Sequence, residues 1–211
     1  MEIKDFKDIH KGKSCFIVGT GPSLNNVDIS KLNNKLTLGM SRTILHPTLQ
    51  LNYYCSESER TIQQTHYDLW KYNCDAKFVP VRYTGYDLGK NVVWVNFPHW
   101  YPGFPKFSFD CAEIVYWGCN VLYMALQLAV YMGFNPLYLV GIDWFNTTQD
   151  MKLHFHDSSV TTDYDPPKLN VQNEGMAYAA KVLGERGVEV YNLCSTSYLN
   201  VFPFKDLGEI L

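Results

Sequence analysis

Two short stretches hold most of the residues whose types and spacing suit chemistry. The first is Gly19-Thr20-Gly21-Pro22-Ser23, which follows the apolar run Cys15 to Val18. A strand ending in a Gly-x-Gly turn brings backbone close to a bulky polar ligand, and amides in such a turn hold anions. The turn lacks the third glycine of a dinucleotide fingerprint, because position 24 is Leu, and it lacks the Gly-Lys-Ser/Thr of a P-loop. A nucleotide-phosphate turn and a purely structural turn are both open readings.

The second stretch is His154-Phe155-His156-Asp157, with Lys152, Asp163 and Tyr164 close by and Asp143 upstream. In an extended segment the two imidazoles fall on one side. Two histidines with Asp143 or Asp157 make a donor set for a divalent metal. One histidine alone suits a general base, since imidazole titrates near neutrality. A solvated surface loop is the third reading. Arg42 is placed to pair with a phosphate or with a surface acid. Glu57 and Glu59 stand where a helix opens, so helix-dipole stabilisation accounts for them without function.

These residues need a scaffold, and the apolar pattern supplies one. Cys15 to Val18, Leu36 to Met40, Leu51 to Cys55, Lys77 to Val81, Val92 to Phe97, Leu137 to Ile142 and Val188 to Leu193 read as strands. Asp28 to Leu32, Ser58 to about Tyr72, Asn120 to Met132 and Asn173 to Arg186 read as helices, with Asp28 and Ser58 as caps and Gly133 as a stop. Residues 98 to 105 form an aromatic, Pro-rich loop that is either a lid or surface packing. Residues 144 to 169 form a long polar loop. Strands alternating with helices predict an α/β, Rossmann-like domain over residues 1 to 211, with a mainly parallel sheet and helices on both faces. Ligands in such sheets sit beyond the carboxyl ends of the strands. Gly19-Thr20-Gly21, Ser41-Arg42, Cys55-Ser56-Glu57 and Asp143 all map there, with 144 to 169 as the active-site loop.

The chain has 211 residues, 46% hydrophobic and 18% charged, and a formal net charge of −3. Disorder is excluded, and without a Lys/Arg block nucleic acid is not an expected partner. The six cysteines have no C-x-x-C spacing, which favours reduced core thiols. No apolar signal core opens the chain, and Val121 to Phe134 is too short to span a bilayer. A soluble cytoplasmic protein without a transmembrane segment is expected. Homo-oligomerisation is compatible with the sequence.

Three segments together carry a resemblance. Phe16-Ile-Val-Gly-Thr-Gly-Pro-Ser-Leu24 resembles the opening strand and turn of the bacterial sialyltransferases of glycosyltransferase family 42. It is equally similar to the "domain of unknown function 115" group, which includes archaeal 6-hydroxymethylpterin diphosphokinases and flagellin-glycosylation proteins. Leu128 to Asp143 resembles the helix–strand unit those families share, and Val190 to Cys194 with Leu199 and Phe202 is similar to their final strand and tail. The resemblance implies a glycosyltransferase-like enzyme of surface-glycan synthesis that takes a nucleotide-activated sugar and requires no cofactor. It places the nucleotide on Gly19, Thr20, Gly21, Ser23, Ser41, Arg42 and Asn120, and Pro22 in the turn and Ser56 at the next strand end join the same candidate site. His154 or His156 becomes the base on the acceptor hydroxyl, with Tyr164 facing the leaving phosphate, while Asp143 joins the catalytic candidates by its position at the end of its strand. The resemblance equally allows an ATP-dependent pterin diphosphokinase, with Mg²⁺ bridging phosphates, or a nucleotide-binding module without turnover. The turn carries Thr20 where the sialyltransferases have Asn, and Ser41-Arg42 where they have Asn-Gln. These differences argue against a sialic acid donor.

Overall fold

The structure is a computed structural model, described here for residues 1–144, 154–156 and 166–211. Its centre is a parallel sheet of seven strands: β1 (Cys15–Val18), β2 (Thr37–Met40), β3 (Tyr53–Cys55), β4 (Ala76–Pro80), β5 (Val92–Val95), β6 (Leu137–Val140) and β7 (Val190–Asn192). The order across the sheet is β5-β4-β3-β2-β1-β6-β7. The chain therefore builds outward from β1 to β5, then returns to lay β6 on the other side of β1. The pairings Phe16 with Thr37 and Cys15 with Leu137 fix the register on its two sides. Such a reversal opens a crevice between the two strand ends, where α/β sheets bind ligands.

β1 and β2 are buried along their whole length, as strands covered on both faces must be. The coverings are α1 (Glu59–Lys71), α2 (Val121–Tyr131), α3 (Pro166–Glu185), the short α4 (Leu207–Ile210) and several single 3-10 turns. Ile17, Leu38, Phe78 and Leu139 pack against residues of α2 and α3 on one face. Phe16, Val18, Tyr54 and Val140 pack against Ile62 and Leu69 of α1 and against Leu24 and Ile29 on the other. Helices thus lie on both faces of the sheet.

α2 is buried on nearly every side, and its one polar residue has a job. Gln127 Oε1 accepts from the amides of Ser108 and Tyr116, both at 2.9 Å, while Nε2 donates to the carbonyls of Tyr116 and Tyr123 at 2.8 and 2.9 Å. A buried amide with its valences filled stabilises rather than costs. It also ties the irregular stretch after β5 to the core. In the aromatic loop, Tyr101 packs on Tyr116 with ring centroids 4.8 Å apart, whereas Trp100 is 81% exposed.

Most element boundaries fall within two residues of expectation. The exception is α3, which starts at Pro166, so residues 166 to 169 are helical rather than loop. Consecutive prolines at a helix start lose no hydrogen bond, because the first amides of a helix have no partner there in any case. Among the described residues no helix is long and apolar enough to cross a membrane.

Candidate active site

The carboxyl ends of β1, β2, β3 and β6 bring the expected site residues to one edge of the sheet. The turn after β1 is held from β6. The amides of Gly19 and Gly21 donate to the carbonyls of Val140 and Gly141, both at 2.8 Å, and the amide of Leu24 donates to Gly21 at 3.1 Å. Ser23 donates from its hydroxyl to Asp143 Oδ2 at 2.8 Å and from its amide to both carboxylate oxygens at 3.3 Å. Asp143 is buried, and the thiol of Cys194 approaches Oδ1 at 3.7 Å.

This geometry changes the reason for the glycines. A Cβ on Gly19 would lie 2.6 Å from the carbonyl oxygen of Gly141 and would overlap Ile142, and one on Gly21 would overlap the carboxylate of Asp143. The glycines let β1 and β6 close on each other. The amides of Gly19, Gly21 and Ser23, among those expected to hold a phosphate, are engaged inside the protein, and Asp143 lies beside Ser23 where an anion is expected. Pro22 opens a 3-10 turn, Pro22–Asn26, with its fixed φ suited to that first position.

Thr20 is the link to the second stretch. Its hydroxyl lies 3.0 Å from His154 Nδ1, and its carbonyl accepts the Phe155 amide at 2.8 Å. Asn25 Nδ2 donates to the Phe155 carbonyl at 3.3 Å, and the Phe155 ring is buried against His46, with centroids 5.3 Å apart. The His154 and His156 rings stack, 5.1 Å apart and 11° from parallel. Both imidazoles share a side, although the segment is a bend rather than extended. Burial, together with the nearby charges of His156 and Arg42, pushes His154 down to about 4 against the opposing effect of the Thr20 backbone. At neutral pH His154 is an uncharged imidazole able to accept a proton.

The metal donor set expected from Asp143 and the histidines is not assembled. The Asp143 carboxylate is directed to Ser23 and Cys194, and His154 is directed to Thr20. Among the described residues no group of three His, Cys, Asp or Glu side chains could hold a metal ion.

At the end of β2, Ser41 has φ +53°, a left-handed conformation costly for a side-chain-bearing residue. The Tyr54 hydroxyl donates to the Ser41 carbonyl at 2.8 Å and locks it there. Arg42 donates to Gln64. Arg42, Arg60 and Arg82 make no salt bridge among the described residues, and the charge of Arg82 acts on the Glu57 carboxyl. Ser56 is buried at the end of β3. Asn120 is occupied as the α2 cap: Oδ1 accepts from the Tyr123 amide at 3.0 Å and Nδ2 donates to the Gly118 carbonyl at 2.9 Å. Tyr164 lies outside the described residues.

Several site residues were not legible in the sequence. Cys194 reaches Asp143 from the end of β7, and Trp144, at φ +46°, donates from Nε1 to Asn173 Oδ1 of α3 at 2.8 Å. Arg82 reaches back from the end of β4 to the Glu57 carbonyl at 2.9 Å. Their partners are distant in sequence, and no local motif marks them.

No curated protein matches the sequence. Among solved structures, the fold is similar to the sialyltransferase CstII from Campylobacter jejuni in complex with cytidine-5'-monophosphate. That similarity has TM-score 0.58 and 16% identity over 92% of this chain and 85% of that one. A complex of the same enzyme with a trisaccharide acceptor and CMP gives TM-score 0.53 and 17% identity, with 91% and 86% covered. The MAf glycosyltransferase from Magnetospirillum magneticum AMB-1 gives TM-score 0.56 and 15% identity, with 99% of this chain covered but 39% of that longer one. At these identities the likeness is one of fold. The family model described as "6-hydroxymethylpterin diphosphokinase MptE-like" matches residues 1–149. With well over half of its length so matched, this chain belongs to the 6-hydroxymethylpterin diphosphokinase MptE-like family.

Proposed function

We propose that this protein is a glycosyltransferase-like enzyme that binds a nucleotide-activated sugar on the carboxyl edge of β1 to β3 and transfers the sugar to an acceptor hydroxyl. The observation that carries the reading is the Thr20–His154 contact, a half-buried neutral imidazole held on the glycine turn within electrostatic reach of Arg42. The acceptor oxygen forms a bond to the anomeric carbon as the bond from that carbon to the donor phosphate breaks. The hydroxyl proton passes to His154 or its stacked neighbour His156. Arg42 offsets the charge on the departing nucleotide phosphate. A bound phosphate also raises the proton affinity of His154, bringing a weak base toward its working range. The fold shared with a CMP-bound sialyltransferase supports a nucleotide ligand.

The family name favours a second reading, diphosphate transfer from ATP. That chemistry uses a divalent metal bridging the phosphates. The described residues do not fit such an ion, since Asp143 and His154 are committed to Ser23 and Thr20 and no other group of three donors replaces them.

Thermal unfolding with CMP-, UDP- and GDP-sugars, and with ATP with and without Mg²⁺, tests both. A ligand at 100 times its Kd stabilises by about 2.7 kcal/mol. A shift with one nucleotide sugar, with transfer abolished but binding kept in His154→Ala or His156→Ala, supports the first reading. A shift only with ATP and Mg²⁺ favours the second. Binding without transfer to any acceptor leaves a nucleotide-binding module. No shift with any nucleotide refutes the proposal.

A further inference from the structure

Glu57 follows β3 and precedes the residue that caps α1. Its position suggests helix-dipole stabilisation, yet the helix start is already served: Ser58 Oγ accepts from the Thr61 amide at 3.4 Å. The Glu57 main chain is pinned, because its carbonyl accepts from Arg82 Nη2 and from the Tyr83 hydroxyl, both at 2.9 Å. The side chain is not. Oε2 is buried and has no hydrogen-bond partner among the described residues. Burial raises the Glu57 carboxyl to about 7, with the charges of Arg82 and Lys168 opposing the rise. Buried polar atoms left unfilled are rare, and each calls for a physical reason. Here the atom sits at the carboxyl end of a strand, on the edge that carries Thr20, Ser41 and Arg42. Neighbouring strands are about 4.8 Å apart, so β3 ends about 10 Å from the turn after β1. That is comparable to the reach from a nucleotide's phosphate to its nucleoside. A carboxyl repels a phosphate, and no other two donors stand with it to make a metal site among the described residues. The complementary group is a neutral O–H or N–H.

We propose that Glu57 is a specificity-determining residue whose side chain accepts a hydrogen bond from the nucleoside part of the bound nucleotide, either a ribose hydroxyl or an amino group on the base edge. This rests on the nucleotide-binding reading above. The charges of Arg82 and Lys168 oppose the effect of burial, so the carboxyl stays partly ionised while the orphan oxygen is open to a donor.

Isothermal titration of the full chain with CDP, UDP, GDP, ADP, their 2'-deoxy counterparts and pyrophosphate provides the test. Wild type should discriminate, either between ribo and deoxy forms or between amino-bearing and oxo bases, and the first pattern assigns the ribose while the second assigns the base. Glu57→Ala should weaken the preferred nucleotide tenfold or more and erase that discrimination, with pyrophosphate affinity unchanged. Glu57→Gln, which keeps the shape, should retain part of the affinity, and thermal unfolding of both variants should show no loss of stability. The proposal is overturned if Glu57→Ala binds the preferred nucleotide as wild type does, if wild type does not discriminate, or if pyrophosphate binding falls in parallel. If wild type binds a nucleotide that ignores Glu57, only the role of Glu57 fails. If no nucleotide binds wild type, the nucleotide reading fails with it.

Discussion

Replacing Gly21 by Ala tests whether the glycine turn exists to join β1 to β6. The added methyl would overlap the Asp143 carboxylate and lie 2.8 Å from the Gly141 carbonyl oxygen. Overpacking a methyl against fixed backbone costs about 1–3 kcal/mol. Displacing Asp143 also weakens its hydrogen bonds from Ser23, and bonds to a charged group contribute about 1.5–3 kcal/mol each. A total loss of about 3–5 kcal/mol is expected, a large share of the roughly 5–15 kcal/mol that holds a domain folded. In an Asp143→Ala background the carboxylate overlap is gone and only the Gly141 contact remains, so the same substitution should cost about 2 kcal/mol less. Urea unfolding of the four proteins measures this. With a slope of about 2 kcal/mol/M, Gly21→Ala should lower the midpoint by about 1.5–2.5 M. A midpoint shift under about 0.3 M, or a cost unchanged by Asp143→Ala, would refute the packing account and return the glycines to a ligand role.

Two titrations pull stability in opposite directions. His154 is lowered from 6.5 to about 4, chiefly by burial, so its contribution is present above pH 6.5 and lost as pH falls through 4. Allowing for solvent screening, the loss is about 1 kcal/mol, and His154→Gln should flatten this part of a urea-midpoint profile. Glu57 is raised from 4.5 to about 7, so its contribution is present below pH 4.5 and lost as pH rises through 7. Glu57→Gln should therefore gain on wild type over that window, by about 2 kcal/mol at pH 8. Ser41→Gly relieves a left-handed residue and should raise thermal stability by up to about 1 kcal/mol; a clear loss would mean that the Ser41 side chain matters more than its φ.

The sheet was legible in the sequence because strands covered on both faces are written as short apolar runs, and Cys15 to Val18 is such a run from end to end. The stacked pair His154 and His156 matches the expected shared side, although the segment is a bend rather than an extended strand, so the local chain turn and not strand alternation brings the rings together. The start of α3 was obscured because Pro166-Pro167 reads as loop, although prolines are tolerated in a first helical turn.

The sequence by itself determined the elements, their alternation and the edge of the sheet where chemistry gathers, because those follow from local patterns of two to four residues. Only the tertiary structure decided what each site residue touches. Ser23 meets Asp143 across 120 residues and Thr20 meets His154 across 134, and no local pattern records contacts at such separations. The same closure of β6 on β1 turned the glycine amides inward, set Asp143 against Ser23 rather than against the histidines, and left β3 to present Glu57 with an unfilled oxygen. Hydrogen-bond partners are assigned by the packing of strand ends, which exists only once the sheet has formed.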